Sequence, residues 1–581
     1  MGGVIMKLAR FFPHIVRRMA LVGMTGLILF TMAACGEGLS DRINEIVDEI
    51  TRQIREQIEE QFKPDKNRDF YELFDRVADY HYDRPEPSDL WLAAIAGLLS
   101  GVTDETLVED ITEALDLDIG SEETFLLVFA AINEFDESEM TEDDYWMLAM
   151  FAVLSSLEDP YSRYVRFEDF AALQQGSQES FVGIGVGVEN ADNNIRIVHI
   201  FPNSPAEGAG IMPGDVITHV DGVDVREASY EMALSLVLGK VDTEVELGIK
   251  RPGLASILTL TMIRSVIPTP TAVGELIEVD ARLMGYLRIN TFGNQTAAIT
   301  EEILEGFIAA GYEGLIIDVR NNSGGALGTL NALLALFMQG SEDVPFFTID
   351  WVDSDTPQKF YSTGEPIVDV PMVLLTNGFS ASASEVFASA LHERGNVEIL
   401  GETTFGKGSV QTAFQLGGPL GDYVWLTVGN WFTAAGVNVR GVGYEPSLPV
   451  EQNPYLNTPP IFVGETVYEL DDEHELIEVA QRILKALGFG ETLDVNGILD
   501  SATAAALEAF QAANDLPLSG QLDPQTAVAL TTAITAYRNN PDHDDQRQAA
   551  IAFLLGLLAE DLEPELTLPK LPTTGEEQPL A

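Results

Sequence analysis

Apolar residues recur at helical spacing along residues 40–62, where Ile43, Ile46, Ile50, Ile54, Ile58 and Phe62 stand three or four apart with charges between them. Positions three and four apart share one face, so this stretch is expected to be an amphipathic helix. The pattern stays mainly helical from 68 to 173, and then changes character. Residues 181–188, Phe-Val-Gly-Ile-Gly-Val-Gly-Val, alternate apolar side chains with glycine, as a strand beside a glycine-rich turn would. The apolar run 314–320, Gly-Leu-Ile-Ile-Asp-Val-Arg, predicts a buried strand that ends in Asn-Asn-Ser-Gly-Gly before a helix-like 326–337. Further on, 383–391 predicts a helix and 397–400 a strand. Near the C-terminus, 497–507 recurs as 520–530, with Asp500 and Asp523 placed as helix N-caps and Pro524 at the first helical position.

These changes divide the 581 residues at about 35, 65, 177, 266, 452, 471 and 540. The fold class expected is multidomain α+β. A helical N-terminal region (66–177) precedes a small β domain (178–266) and a mixed α/β core (267–452); after a proline-containing linker (453–471) come a small helical domain (472–540) and a helix with an acidic tail (541–581). The formal net charge of −60 excludes a broad nucleic-acid-binding face, and 46% hydrophobic residues exclude a disordered chain. Lys7, Arg10, Arg17 and Arg18 precede the apolar stretch 19–34, which ends in Met-Ala-Ala-Cys35. That arrangement resembles a secretory signal closed by a bacterial lipobox, which makes Cys35 the expected lipid-bearing residue and places function outside the cytoplasmic membrane. Cys35 is the only cysteine, so no intrachain disulfide forms.

The chemistry is concentrated in 378–385, Gly-Phe-Ser-Ala-Ser-Ala-Ser-Glu, and 404–411, Thr-Phe-Gly-Lys-Gly-Ser-Val-Gln. A serine hydroxyl becomes a nucleophile only when a base takes its proton, and a lysine serves as that base only when burial keeps its amine neutral. Ser382, among small residues at a helix start, and Lys407, between two glycines, form such a pair. Other assignments fit less well. The run 401–407 lacks the Ser or Thr that a phosphate-binding loop carries after its lysine, and 409–414 runs into Gly417 and Gly418 where that loop would open a helix. The second glycine of a nucleophile elbow is missing. His392 lies ten helical residues from Ser382, or about 15 Å, too far to exchange a proton with it.

Both segments resemble the S41 serine peptidases called carboxyl-terminal processing or tail-specific proteases. The resemblance implies that Ser382 is the nucleophile, Lys407 the general base and Gln411 the residue orienting the lysine amine. Glu393 would be a structural support. The 314–325 segment is similar to the family's strand and turn, which implies an oxyanion hole built from the N–H of Gly324 or Gly325 with that of Ala383. Residues 181–188 resemble the carboxylate loop of a PDZ domain, with Val182, Gly183, Ile184, Gly185 and Val186 as the peptide-binding residues and 229–238 as the other groove wall. The 497–530 repeat is similar to the small peptidoglycan-binding domain, although the same apolar spacing would serve a mute three-helix core. The expected activity is endopeptidase cleavage near apolar protein C-termini without metal or organic cofactor. The expected partners are protein substrates, a membrane reached through the lipid anchor, and peptidoglycan. The 40–62 helix would pair two chains or pack on its own subunit. A catalytically silent PDZ and wall-binding scaffold is the alternative. Residues 571–575, Leu-Pro-Thr-Thr-Gly, spell a sortase signal, but only six residues follow and none forms an apolar span.

Overall fold

The computed structural model describes residues 66–560 except 115–119, 137–139, 168–169, 171–179, 192–193, 202–203, 227–233, 235, 252–255, 269, 362–363 and 419–420. Cys35, the 19–34 stretch, the 40–62 helix and the 561–581 tail with its sortase-like run lie outside the described residues. The chain forms two units, Met1–Phe170 with Gln411–Thr427, and Ala171–Val410 with Val428–Ala581.

In the first unit, helices α1 (Lys66–Tyr80), α2 (Pro87–Ser100), α3 (Glu105–Ala114), α4 (Glu122–Phe135) and α5 (Glu142–Ser155) follow one another. Their starts are written locally. Ser121 caps α4 by accepting from the Thr124 N–H at 3.1 Å, and Thr141 with Asp144 makes a reciprocal capping box on α5. The apolar faces meet in an aromatic core in which Phe70 stacks on Phe125 at 5.0 Å between centroids. Strand β1 (Arg163–Val165) pairs antiparallel with Tyr423–Trp425.

The second unit opens with a small β domain. Strands β2 (Ser180–Gly183), β3 (Val186–Ala191) and β4 (Asn194–Ile200) lead into α6 (Pro205–Gly208), and β5 (Val216–Val220), β6 (Val223–Asp224), β7 (Glu244–Lys250), β8 (Leu258–Ile263) and β9 (Ser265–Pro268) follow. The sheet order is β3-β4-β5-β7-β8, so β3 is an edge strand among the described residues.

The core domain is a six-stranded sheet in the order β10 (Ala272–Val279), β11 (Arg282–Ile289), β12 (Gly314–Asp318), β15 (Met372–Thr376), β16 (Glu398–Gly401) and β19 (Leu448–Pro449). It is parallel from β11 onward. Every residue of β12 is buried, which is why its sequence reads as an unbroken apolar run. One face packs against α7 (Thr296–Ala310), α8 (Leu330–Leu334) and α9 (Ala383–Gly395). The expected helix over 326–337 is broken into a 3-10 turn, Leu327–Thr329, and the five residues of α8. Ala326 precedes the 3-10 turn as an extended N-cap, its N–H donating to the Phe292 carbonyl at 2.8 Å. Strands β13 (Phe347–Trp351) and β14 (Gln358–Phe360) pair with each other, and β13 pairs with the end of β18 (Tyr423–Thr433), which β17 (Ser409–Gln415) also joins.

The small helical domain contains α10 (Glu475–Ala486), α11 (Ser501–Ala513) and α12 (Pro524–Asn539). Asp500 and Asp523 cap α11 and α12 through the Thr503 and Thr526 N–H groups, each at 2.8 Å. The stretch expected as a linker is only partly one, because Ile461 and Val463 are buried in the core of this domain. The last helix, α13 (Asp545–Glu560), returns to the six-stranded sheet. Its Ala550, Ile551, Leu554 and Leu558 cover Met284, Tyr286, Ile316, Val373, Leu375 and Leu400 on the second face. Burial of each large apolar side chain there is worth about 1.5–3 kcal/mol.

Candidate active site

Ser382 stands at the N-cap of α9 with φ +56° and ψ −115°. A non-glycine residue in that region is strained, and the surroundings must hold it there. Glu385, three residues on and fully buried, does so. Its Oε2 accepts the Ser382 N–H at 2.8 Å and the Lys407 N–H at 2.8 Å. The two nitrogens therefore lie no farther apart than twice that distance, across 25 residues of chain. Its Oε1 accepts the Thr404 hydroxyl at 2.6 Å and the Gly406 N–H at 2.7 Å. The Thr404 hydroxyl itself accepts from the Tyr444 N–H at 2.7 Å, so its proton points to Glu385. Four donors converge on one carboxyl and leave no acceptor for a proton of its own, which fits the ionised form. Burial pushes this carboxyl above the ordinary carboxylate range, and the bonds from Thr404, Gly406, Ser382 and Lys407 pull against that.

The glycines flanking Lys407 allow close approach of another loop. A Cβ on Gly406 would come within 2.9 Å of the Gly443 nitrogen, and one on Gly408 within 2.6 Å of the Arg440 nitrogen. The buried Trp431 donates its indole N–H to the Lys407 carbonyl at 2.8 Å. Beyond Lys407 the chain enters β17 and not a helix, which removes the phosphate-loop assignment. Gln411 falls in the first unit, half-buried on β17, with Nε2 donating to Thr427 Oγ1 at 3.2 Å. His392 occupies the last turn of α9 and meets the Tyr444 hydroxyl at 3.0 Å. Glu393 accepts the Ala435 N–H at 2.7 Å.

The turn after β12 lies against the serine. A Cβ on Gly324 would stand 2.9 Å from Ser382 Cβ and 3.0 Å from the Ala383 nitrogen, and φ of +109° also demands glycine there. The Gly324 N–H is occupied, donating to Asn322 Oδ1 at 2.9 Å. Gly325 is different. Its parallel bridge to Phe292 uses the Gly324 carbonyl and the Ala326 N–H, so among the described residues its own N–H has no acceptor. The Ala383 N–H, first in α9, has none either. Of the two glycines expected at the oxyanion hole, Gly325 is the one with a free donor.

In the small β domain, Gly183, Ile184, Gly185 and Val186 line a cleft of about 30 Å³ whose other wall includes Leu234, Val237 and Leu238. Most of the expected 229–238 helix lies outside the described residues. Gly185 takes φ +80°, and a Cβ there would meet Ser204 at 2.3 Å. The Ile184 and Gly185 carbonyls are bonded to the Ala206 and Phe201 N–H groups, while the Ile184 and Gly185 N–H groups have no acceptor among the described residues. Val182 stands apart from this cleft as a strand residue paired with Val266.

Two residues of the site have roles that the sequence reading did not assign. Glu385 ties the Ser382 and Lys407 segments together, and its signal was available, since Ser382-x-x-Glu385 has capping-box spacing. Asn322 holds the Gly324 N–H and, through its carbonyl, the Ala381 N–H at 3.0 Å and the Ser384 hydroxyl at 2.7 Å. It stands at the asparagine of the Asp-x-Arg-x-Asn-x-Gly-Gly pattern of 318–325, although its role there was not assigned.

Comparison with known proteins identifies three domains in the chain. The model of peptidase family S41 matches residues 283–450, that of the PDZ domain 182–261 and that of a peptidoglycan binding domain 473–530. The carboxy-terminal processing protease CtpB of Bacillus subtilis (strain 168) is 33% identical over 406 residues, 70% of this chain and 83% of the relative. The CtpA protease of the same strain is 33% identical over 420 residues, 72% of this chain and 87% of its own. Among solved structures, a photosystem II D1 C-terminal processing protease aligns with a TM-score of 0.40 at 25% identity, over 67% of this chain and 94% of that one. The chain thus belongs to peptidase family S41, among the carboxy-terminal processing serine proteases, and carries a PDZ domain within it.

Proposed function

We propose that this protein is an extracytoplasmic endopeptidase that takes a protein's C-terminus in its PDZ cleft and cuts nearby with a Ser382–Lys407 dyad. The observation that carries this reading is the Glu385 carboxylate, whose single Oε2 receives the main chains of both residues. In the proposed reaction Lys407 Nζ takes the proton of Ser382 Oγ as that oxygen bonds to the substrate carbonyl carbon. The resulting oxyanion is received by the Gly325 and Ala383 N–H groups. Collapse breaks the C–N bond, and Lys407 returns the proton to the leaving amine. A water molecule, deprotonated by Lys407, then hydrolyses the acyl ester and frees Ser382. By family resemblance Gln411 orients the lysine amine.

At the PDZ cleft, the unpaired Ile184 and Gly185 N–H groups suit a terminal carboxylate, and the free edge of β3 suits a peptide added as a further strand. The apolar lining favours apolar terminal residues. Cys35, if lipidated, anchors the chain outside the membrane, and the C-terminal domain holds it to peptidoglycan. Among the described residues no helix is long and apolar enough to cross a membrane. The test is cleavage of an unfolded protein with an apolar C-terminus. Ser382→Ala and Lys407→Ala are each expected to lower kcat by about 10⁴-fold or more, and amidation of the substrate C-terminus to raise KM. Undiminished cleavage by Ser382→Ala would sink the dyad.

A further inference from the structure

Arg320, only 8% exposed, ends the buried segment that leads into the 321–325 turn. It is held on both sides. Asp318 takes its Nε at 3.0 Å and Nη2 at 2.8 Å. Asp544, immediately before α13, takes Nη1 at 2.8 Å and Nη2 at 2.7 Å, and Gln546 Oε1 accepts Nη1 at 3.0 Å. Such two-pronged guanidinium–carboxylate pairing fixes orientation as well as charge. Asp544 is itself fixed by Gln452 Nε2 at 2.8 Å and by the Arg547 N–H at 3.0 Å.

From Arg320 the constraint passes along consecutive residues. Asn321, at φ +61°, exchanges hydrogen bonds with the Asn377 side chain at 2.9 and 3.0 Å. Asn322 is pinned to the Ile289 carbonyl at 2.9 Å and binds Gly324, Ala381 and Ser384 as described. One end of this turn therefore rests on Arg320 and the other presents Gly325.

We propose that Asp544 is a positioning residue of the peptidase, which by gripping Arg320 sets the 321–325 turn and so aims the Gly325 N–H at the reacting carbonyl. The proposal rests on the Ser382 mechanism given above. It makes the peptidoglycan-binding-type domain an insertion in the peptidase, whose last helix and positioning carboxylate follow it in the chain.

The experiment uses the full chain with Asp544→Asn, Asp544→Glu, Gln452→Ala and Ser382→Ala. It measures kcat and KM on the unfolded substrate, affinity for a peptide boronate that forms a tetrahedral adduct, and affinity for the product peptide. An oxyanion donor out of place weakens the tetrahedral state and spares the ground state. Asp544→Asn is therefore expected to lower kcat and boronate affinity together, by roughly tenfold or more, with KM and product affinity within about twofold; Asp544→Glu regains part of the loss. Gln452→Ala, which loosens Asp544 and also removes the acceptor of the Asn453 and Asp545 N–H groups, shows a smaller loss with the same split and serves if the aspartate variants do not fold. Wild-type kcat in the folded variants, or equal losses of boronate and product affinity, overturns the proposal. An active Ser382→Ala would instead sink the mechanism beneath it.

Discussion

Two regions of this molecule gather a backbone turn around one buried polar side chain, and they do it with opposite chemistry. In the C-terminal helical domain, the fully buried Gln481 and Gln511 hold matching turns of the internal repeat. Gln511 Oε1 accepts the Ser519 and Gly520 N–H groups, and its Nε2 donates to Ser519 Oγ, the Gln521 carbonyl and Thr526 Oγ1, all at 3.0 Å. Gln481 does the same for Asn496, Gly497, Ile498 and Thr503. A neutral amide gives and receives, so its burial costs little once every bond is made. The left-handed positions in these turns fall on glycines, Gly497 at φ +75° and Gly520 at φ +63°. At the active site a carboxylate gathers only donors, and the left-handed position falls on Ser382. Burying a charge costs far more than burying an amide. The difference teaches that a turn closing a repeat lets glycine absorb its geometry, whereas the turn carrying the proposed nucleophile places the strain on a serine and holds it with a carboxyl group.

Exchanging the two chemistries breaks the comparison most sharply. Glu385→Gln would turn an amide NH₂ toward N–H or O–H donors on one side of the site. We expect kcat to fall by about 10²–10³-fold, as when an oxyanion donor is displaced, and stability to fall by about 3 kcal/mol as donors lose their acceptor. Steady-state kinetics with thermal unfolding checks both, and a variant with wild-type kcat would mean that the carboxylate is dispensable. Gln511→Leu should behave differently. It orphans the Ser519 and Gly520 N–H groups at a cost of about 2–3 kcal/mol, seen as an earlier unfolding transition, while kcat in the folded state stays within about twofold. A matched loss of activity would erase the contrast between a structural and a catalytic turn.

The smallest effect is the dependence on pH. The Glu385 carboxyl is raised by burial, so between the ordinary glutamate value of about 4.3 and its higher folded value the folded state holds more protons than the unfolded. Stability from this group is present below that window and is lost as pH rises through it. The stability gap between the wild type and Glu385→Gln should therefore narrow as pH rises from about 4 toward neutrality, while wild-type activity rises as the carboxylate forms. Gln511→Leu should show no such slope against wild type. Unfolding midpoints across that range decide the matter, and a gap that widens with pH would reverse the sign.

Local order was legible in the sequence wherever a cause lies within a few residues of its effect. The caps at Asp500 and Asp523 and the buried strand before the 321–325 turn belong to this class, whereas the glycine requirement around Lys407 is set by the distant Arg440 and Gly443. The proposed pairing of Ser382 with Lys407 rests on two motifs and a chemical need, and it spans 25 residues of chain. The 326–337 stretch keeps its apolar spacing but is regular helix only over Leu330–Leu334, with Ala326 tied to Phe292 more than thirty residues upstream. The linker was misjudged because Ile461 and Val463 look unremarkable until α12 supplies the Thr531 hydroxyl that accepts the Ile461 N–H at 3.0 Å.

By itself the sequence determined which side chains carry the chemistry that a serine nucleophile and its base require and where most helices, strands and turns fall, since side-chain chemistry and backbone periodicity are carried by neighbouring residues. Tertiary structure alone decided that, among the described residues, Gly325 and not Gly324 keeps a free N–H, that one oxygen of Glu385 accepts from the main chains of both Ser382 and Lys407, and that Asp544 reaches Arg320 across 224 residues. Those outcomes depend on which donors and acceptors are brought within about 3 Å of one another. Chain closure over such distances is settled by the packing of whole faces against a sheet, which no short stretch of sequence contains.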